Sequence, residues 1–513
     1  MRRLTGILSG MLIAVSVFGA GEGEGAAGEV VEVTHMVADR GIVPAEVGTL
    51  QDNWFVDKMN ETLAPSGVKV GIVVFPRGEY GAKVNTMMAA GTAPDVMWTW
   101  SADQVGKWTQ EGGLLDYGQY IDELGPNIRK LYTEEDLATG TFYGKLTALR
   151  RIQTWAQWAR TTLARQDYLD ALGLEAPESV GELYDVLVEL KENAEALGHD
   201  RESFYPFTMW GTGEWSYYVI PAFTDGEPAP ERLAVPPALW PEAKDGLRFL
   251  NKLYNEGLMF DDSLDSDSSI RKAIMIDGKA AIIPWWTHGP VFTGYGAIYE
   301  KMRTVNPHAR LVTIFPWGQQ PGESKLFFNV GRHGLMFITP SATKHPEAVM
   351  TYLDYLASEE GYRTATIGIK GEHWEETADG GFERLIDESA VTKLISWIQP
   401  CFEVLSLPFA RASLNAKVLY GTMAHADEFL VWTDEVEAAG NYPRPIINLP
   451  NPARDRYFGV IEGEWRDALP KIITAPESEF DAVFDQALAA YRANGGDEVE
   501  QEALANYRKI YGQ

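Results

Sequence analysis

Val68–Phe75 (VKVGIVVF), Glu79–Ala90 (EYGAKVNTMMAA), Gly91-Thr92-Ala93-Pro94 and Asp95–Trp100 (DVMWTW) decide the fold class. The first stretch is a β-branched run, the pattern of a strand buried on both faces. The second is a short helix closed by Gly91, and Pro94 prevents its continuation. The third is another strand. Upstream, Glu29–Met36 alternates through Val31 and Val33 as a strand does. Leu50–Leu63 carries Trp54, Phe55, Met59 and Leu63 at helical spacing and stops at Pro65. Strands separated by single helices predict an α/β fold with parallel pairing through right-handed crossovers. Open sheets of this kind bind ligands beyond the carboxyl ends of their strands, where Trp98 and Trp100 fall.

Farther along, the chain becomes more helical. Ser179-Val180-Gly181-Glu182 reads as a capping box before a stripe of Leu183, Val186, Leu187 and Leu190. Pro241 opens a second helix that Gly257 ends. Ala280–Trp286 and Arg310–Phe315 read as strands. Pro346–Ser358, 384–398, 413–433 and Glu477–Tyr511 read as helices, the last broken at Gly495-Gly496.

The chain has 513 residues, 45% hydrophobic and 12% aromatic, which excludes a disordered class and leaves room for two to four domains. Its 73 Asp+Glu against 44 Lys+Arg give a formal charge of −29. Nucleic acid and anionic lipid both need concentrated cations, so neither is a partner. With one cysteine, Cys401, neither an intramolecular disulfide nor a cysteine-based zinc cluster can form.

Met1-Arg2-Arg3, the uncharged Leu4–Ala20 and the small, acidic Gly21–Gly28 follow the layout of a secretory signal peptide and spacer. Residues 1–28 are therefore assigned to export, and the mature protein is expected to be periplasmic. No cysteine stands nearby to carry a lipid anchor. No later stretch reaches 18 uncharged apolar residues.

Motifs for catalysis are missing: the chain has no G-x-x-x-x-G-K-[ST], no H-E-x-x-H and no G-x-S-x-G. Ser341–Lys344 matches S-x-x-K without its partner motifs and reads as a helix cap. Gly211-Thr212-Gly213 lacks a third glycine. Asp261–Ser269 (DDSLDSDSS) lacks the glycine and the terminal acid of a calcium loop in either register, and reads as a solvated loop. No metal and no cofactor are predicted.

The positive signal is tryptophan, with 16 copies. Indole offers a flat face for the C–H side of a pyranose and one N–H donor, while Asp, Asn, Glu and Arg can satisfy the hydroxyl rim. Trp54, Trp397, Trp432 and Trp465 fall in helical patterns and read as packing residues. Trp98, Trp100, Trp155, Trp210, Trp215, Trp286 and Trp374 stand near Gly, Pro or polar clusters and are the binding candidates. Arg151 and Arg332 join them, because a guanidinium beside aromatics can hold a carboxylate with two hydrogen bonds. The alternative for each arginine is a structural ion pair.

Ala89–Val96 (AAGTAPDV) resembles the A-x-G-x-x-P-D-V segment of the extracellular solute-binding proteins of sugar ABC importers. Gln110–Asp116 (QEGGLLD), Gln166–Leu174 (QDYLDALGL) with Pro177, Leu250–Leu258 (LNKLYNEGL) and Asp277–Ala281 (DGKAA) are similar to later segments of that family, in the same order. Gly368–Trp374 (GIKGEHW) with Asp379-Gly380 resembles the LplA/LipO-like, aldouronate-binding branch. The resemblance implies a two-lobe, type II periplasmic binding protein fold with a central cleft and hinge crossovers. Lobe one would be 29–147 plus 330–371, and lobe two 148–329 plus 372–513. It further implies a monomer that takes an oligosaccharide, neutral or uronate-containing, to ABC permease subunits without chemical change. Two departures stand out: the lipobox cysteine of that branch is missing, and Gly198–Tyr205 (GHDRESFY) lacks the Asp-rich calcium loop of some members. The competing reading is an exported glycoside hydrolase with a carboxylate pair.

Overall fold

The computed structural model describes residues 30–152, 161–209, 219–223, 240–260, 273–285, 298–314, 318–320, 333–377, 382–405 and 451–511. β1 (Val31–Asp39) and β2 (Val68–Pro76) pair in parallel, Val31 opposite Val68 through Asp39 opposite Pro76. α1 (Trp54–Leu63) connects them. Its first turn is closed by Asn53, whose side-chain oxygen accepts from the Phe55 and Val56 N–H groups, a cap of about 1 kcal/mol. α2 (Tyr80–Ala90) ends on Gly91 at φ 66°, a left-handed conformation that glycine adopts without steric cost. β3 (Met97–Thr99) follows, and a parallel bridge between His35 and Val96 brings it beside β1.

Asp95 explains why the turn before β3 has the form it has. Its carboxylate accepts from the Thr34 N–H at 2.9 Å, the Thr34 hydroxyl at 2.7 Å and the Thr343 hydroxyl at 2.7 Å. One side chain thus ties β1 to a segment far away in sequence. β2 departs from the sequence expectation. Only Val68 and Val70 are fully buried on it, and Ile72–Phe75 are half-covered. Among the described residues β2 pairs with β1 alone, so it is an edge strand and its β-branched run lacks a second neighbour.

α3 (Ala102–Gln110) starts on Ser101. β4 (Leu149–Ile152) leaves this part of the chain. β5 (Thr161–Arg165) is the middle strand of a second sheet, antiparallel to both β6 (Ile282–Trp285) and β7 (Leu311–Ile314). β8 (His333–Ile338) then returns and lies antiparallel between β3 and β4, with Phe337 opposite both Trp98 and Leu149. Across the first sheet the order is β2-β1-β3-β8-β4, and β1 to β4 all point the same way.

Two hydrophobic clusters form. The first gathers Val33, Met36, Phe55, Val96, Trp98, Leu149 and Phe337 with Val349, Met350 and Leu353. Those last three face inward from α4 (Pro346–Ala357), which begins at Pro346 as expected. The first cluster also takes Trp374, Trp397, Ile398, Cys401, Phe402, Val404 and Leu405. The boundary expected at residue 371 assigns that stretch to the second lobe; its apolar side chains instead pack beside β1 and α1. Residues 384–398 form not one helix but Glu388–Leu394 followed by α5 (Ile398–Phe402).

The second cluster gathers Leu183, Leu187 and Leu190 of the Val180–Glu192 helix, Leu247, Leu250 and Leu253 of the Lys244–Asn255 helix, and Ile282 and Ile314 of the second sheet. Each such side chain contributes about 2 kcal/mol by leaving water. The Ser179 hydroxyl caps the first of these helices at the Glu182 N–H. The Glu182 carboxylate accepts from the Glu178 N–H, so the reciprocal half of the capping box is shifted by one residue. α6 (Pro452–Thr474), α7 (Phe480–Ala493) and α8 (Gly496–Tyr511) complete this cluster through Ile461, Leu469, Phe480, Tyr491, Val499 and Ala503. Of the packing tryptophans, Trp397 and Trp465 are buried and Trp54 is half-buried, while Trp432 and the expected helix 413–433 lie outside the described residues.

Candidate functional site

Because β1 to β4 run in one direction, their carboxyl ends meet along one edge. Arg40 follows β1, Arg77 follows β2, Trp98 and Trp100 end β3, and Arg151 ends β4. This edge is where an open α/β sheet receives a ligand.

Trp98 is 2% exposed. Tyr80 stacks on it with ring centroids 4.1 Å apart, and the Arg77 guanidinium stands 5.1 Å from its ring centroid. The Trp98 N–H of the backbone donates to the Tyr80 hydroxyl at 3.1 Å, and that hydroxyl donates to the Met36 carbonyl at 2.9 Å. Burial and the nearby Glu403 charge push the Tyr80 phenol well above its ordinary range. Trp98 is therefore the floor of the edge and cannot itself lie flat against a sugar. Trp100, two residues on, is 50% exposed and can.

Arg151 is buried and paired with Glu403. The same carboxylate accepts from Arg40 at 3.1 Å through its other oxygen. Arg151 is thus a structural ion pair in this arrangement, and its guanidinium is not presented to a ligand. Its neighbour Arg150 donates to the Thr139 carbonyl at 2.9 Å; burial lowers its pKa to about 10, which leaves it charged at neutral pH.

Trp374 is enclosed as well. It is 4% exposed, donates to the Gly368 carbonyl at 2.9 Å, and has Arg363 at 5.0 Å and Lys370 at 5.7 Å from its ring centroid. It borders a hollow of about 400 Å3 shared with Lys58, Glu359 and Glu376. Trp155, Trp210, Trp215, Trp286 and Arg332 lie outside the described residues, as do 1–29 and Asp261–Ser269. Sequence reasoning passed over Arg40, Arg77, Tyr80 and Glu403. The rule that ligands meet strand ends, applied to the residue after each strand, would have singled out the first two.

Among the described residues no helix is long and apolar enough to cross a membrane, and no three His, Cys, Asp or Glu side chains gather as a metal site would need. Asp200, in the Gly198–Tyr205 loop, accepts from the Glu202 and Ser203 N–H groups of its own turn.

Residues 64–363 match the family described as bacterial extracellular solute-binding protein. The chain belongs to that family, whose members are the substrate-binding proteins of ABC transporters and not enzymes. Lipoprotein LipO of Bacillus subtilis (strain 168) is 26% identical over 337 residues, 62% of this chain. That alignment spans 64% of LipO, less than two thirds of its length. The polygalacturonan/rhamnogalacturonan-binding protein YtcQ of the same organism is 22% identical over 444 residues, 82% of each chain. Among solved structures, the alginate-binding protein AlgQ2 superposes with a TM-score of 0.67 at 17% identity, covering 93% of this chain and 98% of that one. The fold is the two-lobe, type II α/β architecture of periplasmic solute-binding proteins. Nothing in these likenesses supports the glycoside hydrolase reading.

Proposed function

We propose that the protein is the carbohydrate-capturing component of an ABC importer and that its preferred ligand is an acidic, uronate-containing oligosaccharide. The first lobe comprises 30–152 with 333–405, and the second 161–314 with 451–511. The sugar is held between them and passed unaltered to the permease subunits by an exported, monomeric protein. The observation that carries this reading is the carboxyl edge of β1 to β4, where the half-exposed indole of Trp100 ends β3 and the exposed Arg77, 5.1 Å from the neighbouring Trp98 ring, follows β2. An indole face suits the C–H side of a sugar ring, and a guanidinium suits a uronate carboxylate. The likeness to YtcQ, over 82% of both chains, supports the same ligand chemistry. Binding of one ligand to both lobes favours the closed form by the difference in affinity for the two forms.

Calorimetry with digalacturonate, trigalacturonate and the neutral trisaccharide kestose tests this. Stoichiometric binding of the galacturonates without products is the expected result. Equal or tighter binding of kestose would overturn the acidic preference, and hydrolysis products would overturn the binding role.

A further inference from the structure

We propose that Asn60 guards the open edge of β2, its carboxamide holding the place on that strand where a second copy of the chain would otherwise add its own β2. The inference stands apart from the ligand and from the sugar-binding reading.

Among the described residues β2 has one neighbour, β1. In that parallel pair the Val31 N–H donates to the Gly67 carbonyl at 2.8 Å, which sets the alternation. Lys69, Gly71, Val73 and Phe75 bond to β1, while Val68, Val70, Ile72 and Val74 turn their N–H and C=O groups to the open side. At Val70 one side chain meets both groups. The Asn60 Oδ1 accepts from the Val70 N–H at 2.7 Å, and the Asn60 Nδ2 donates to the Val70 carbonyl at 3.2 Å. Asn60, on α1, thereby imitates one residue of a neighbouring strand. Ile72 and Val74 have no such partner among the described residues, and their side chains are half-covered. An edge of this kind is a template for another strand, the more so because Gly71–Phe75 (GIVVF) is β-prone and uncharged.

The occupant that fits is β2 of a second copy, because the strand is complementary to itself when turned antiparallel about Ile72. Val70 then faces Val74, Ile72 faces Ile72 and Val74 faces Val70, and each of these pairs exchanges two hydrogen bonds. Val68 faces Pro76, which has no N–H to give. With Asn60 seated on Val70 in both copies, the first and last of these full pairs are closed and the Ile72 pair alone remains. Charge adds to the barrier. The chain carries −29, and Lys69 of one copy would approach Lys83 of the other, which stands 5.7 Å from the Phe75 ring. Salt screens that repulsion, but it does not open a hydrogen-bonding position that Asn60 already fills.

The test is sedimentation velocity without sugar in about 0.5 M sodium chloride, where charges act over only roughly 4 Å. The parent is expected to remain a monomer, and a dimeric parent would already refute the guard. Asn60→Ala suits α1 and leaves the Val70 groups to water, so it is expected to fold and melt cooperatively. At least about half of it is expected in dimers or larger species at a concentration where the parent shows none. Asn60→Ser, whose hydroxyl cannot span both Val70 groups, decides the matter if the alanine variant does not fold. Adding Ile72→Pro removes an N–H that points away from β1, spares the ladder, and is expected to return either variant to monomer. Folded Asn60 variants that stay monomeric, with only a lower melting temperature, would overturn the proposal. Dimers that persist with Ile72→Pro would overturn it too, because they would form through another surface.

Discussion

Tyr80 and Trp98 lie face to face, 14° from parallel, with the backbone N–H of Trp98 bonded to the Tyr80 hydroxyl. The pair is a fixed wall below the ligand edge, and it divides the two tryptophans of β3 into different roles. Trp98→Ala removes a buried indole and is expected to destabilise the fold by about 3–5 kcal/mol in urea unfolding. Trp100→Ala is expected to leave stability within about 1 kcal/mol and to weaken digalacturonate binding about tenfold, near 1.4 kcal/mol. Unchanged affinity for Trp100→Ala would remove that indole from the site.

Asp95 joins β1 to the turn before α4 by three accepted hydrogen bonds. Asp95→Ala leaves the Thr34 and Thr343 donors without their acceptor and is expected to cost about 2 kcal/mol, measured by urea unfolding. Asp95→Asn keeps one carbonyl oxygen and should cost less.

His35 is wholly buried, with Nδ1 2.7 Å from the Tyr352 hydroxyl, and burial lowers its pKa to about 3. The unfolded chain titrates this group near 6.5. Between those values the unfolded state binds a proton that the folded state refuses. The stabilising contribution is therefore complete above about pH 6.5 and falls as pH drops toward 3, by about 1.4 kcal/mol per unit. Urea unfolding at pH 7 and pH 5 should show a shallower decline for His35→Gln than for the parent. Equal declines would mean that His35 does not control the acid limb.

Asp103 on α3 and Arg454 on α6 meet at 3.3 Å, joining an element of the first cluster to one of the second. Both side chains are about one-third exposed, so the pair is worth roughly 0.2–1 kcal/mol. Asp103→Asn and Arg454→Gln are each expected to speed digalacturonate release two- to fivefold in stopped-flow fluorescence. The double variant should be no faster than either, because both remove the same contact.

The strand–helix–strand opening of the chain was readable because each element carries its own local signal: alternation in β1, the helical spacing before Pro65, Gly91 and Pro94 before β3. What lay beyond reach depends on partners distant in sequence. The run in β2 has the composition of a central strand, yet only its position at the sheet edge determines how much of it is covered. Trp374 looked available beside its glycines. The loop folds back through Gly368 at φ 92° and Gly371 at φ 85°, and the indole is enclosed. Arg151, a candidate for the ligand by its neighbours in sequence, pairs in the structure with Glu403, a residue far along the chain that local sequence does not point to.

The order of strands in the first sheet bears on how the molecule is made. β3 acquires its neighbour β8 only after the whole of the second sheet has emerged, because Trp98 pairs with Phe337. Closing so long a loop costs chain entropy before any contact compensates, and folds dominated by distant pairings form slowly. Neither lobe can be finished as its own strands emerge: the first waits for β8, and the second for α6 to α8, which follow β8 in the chain.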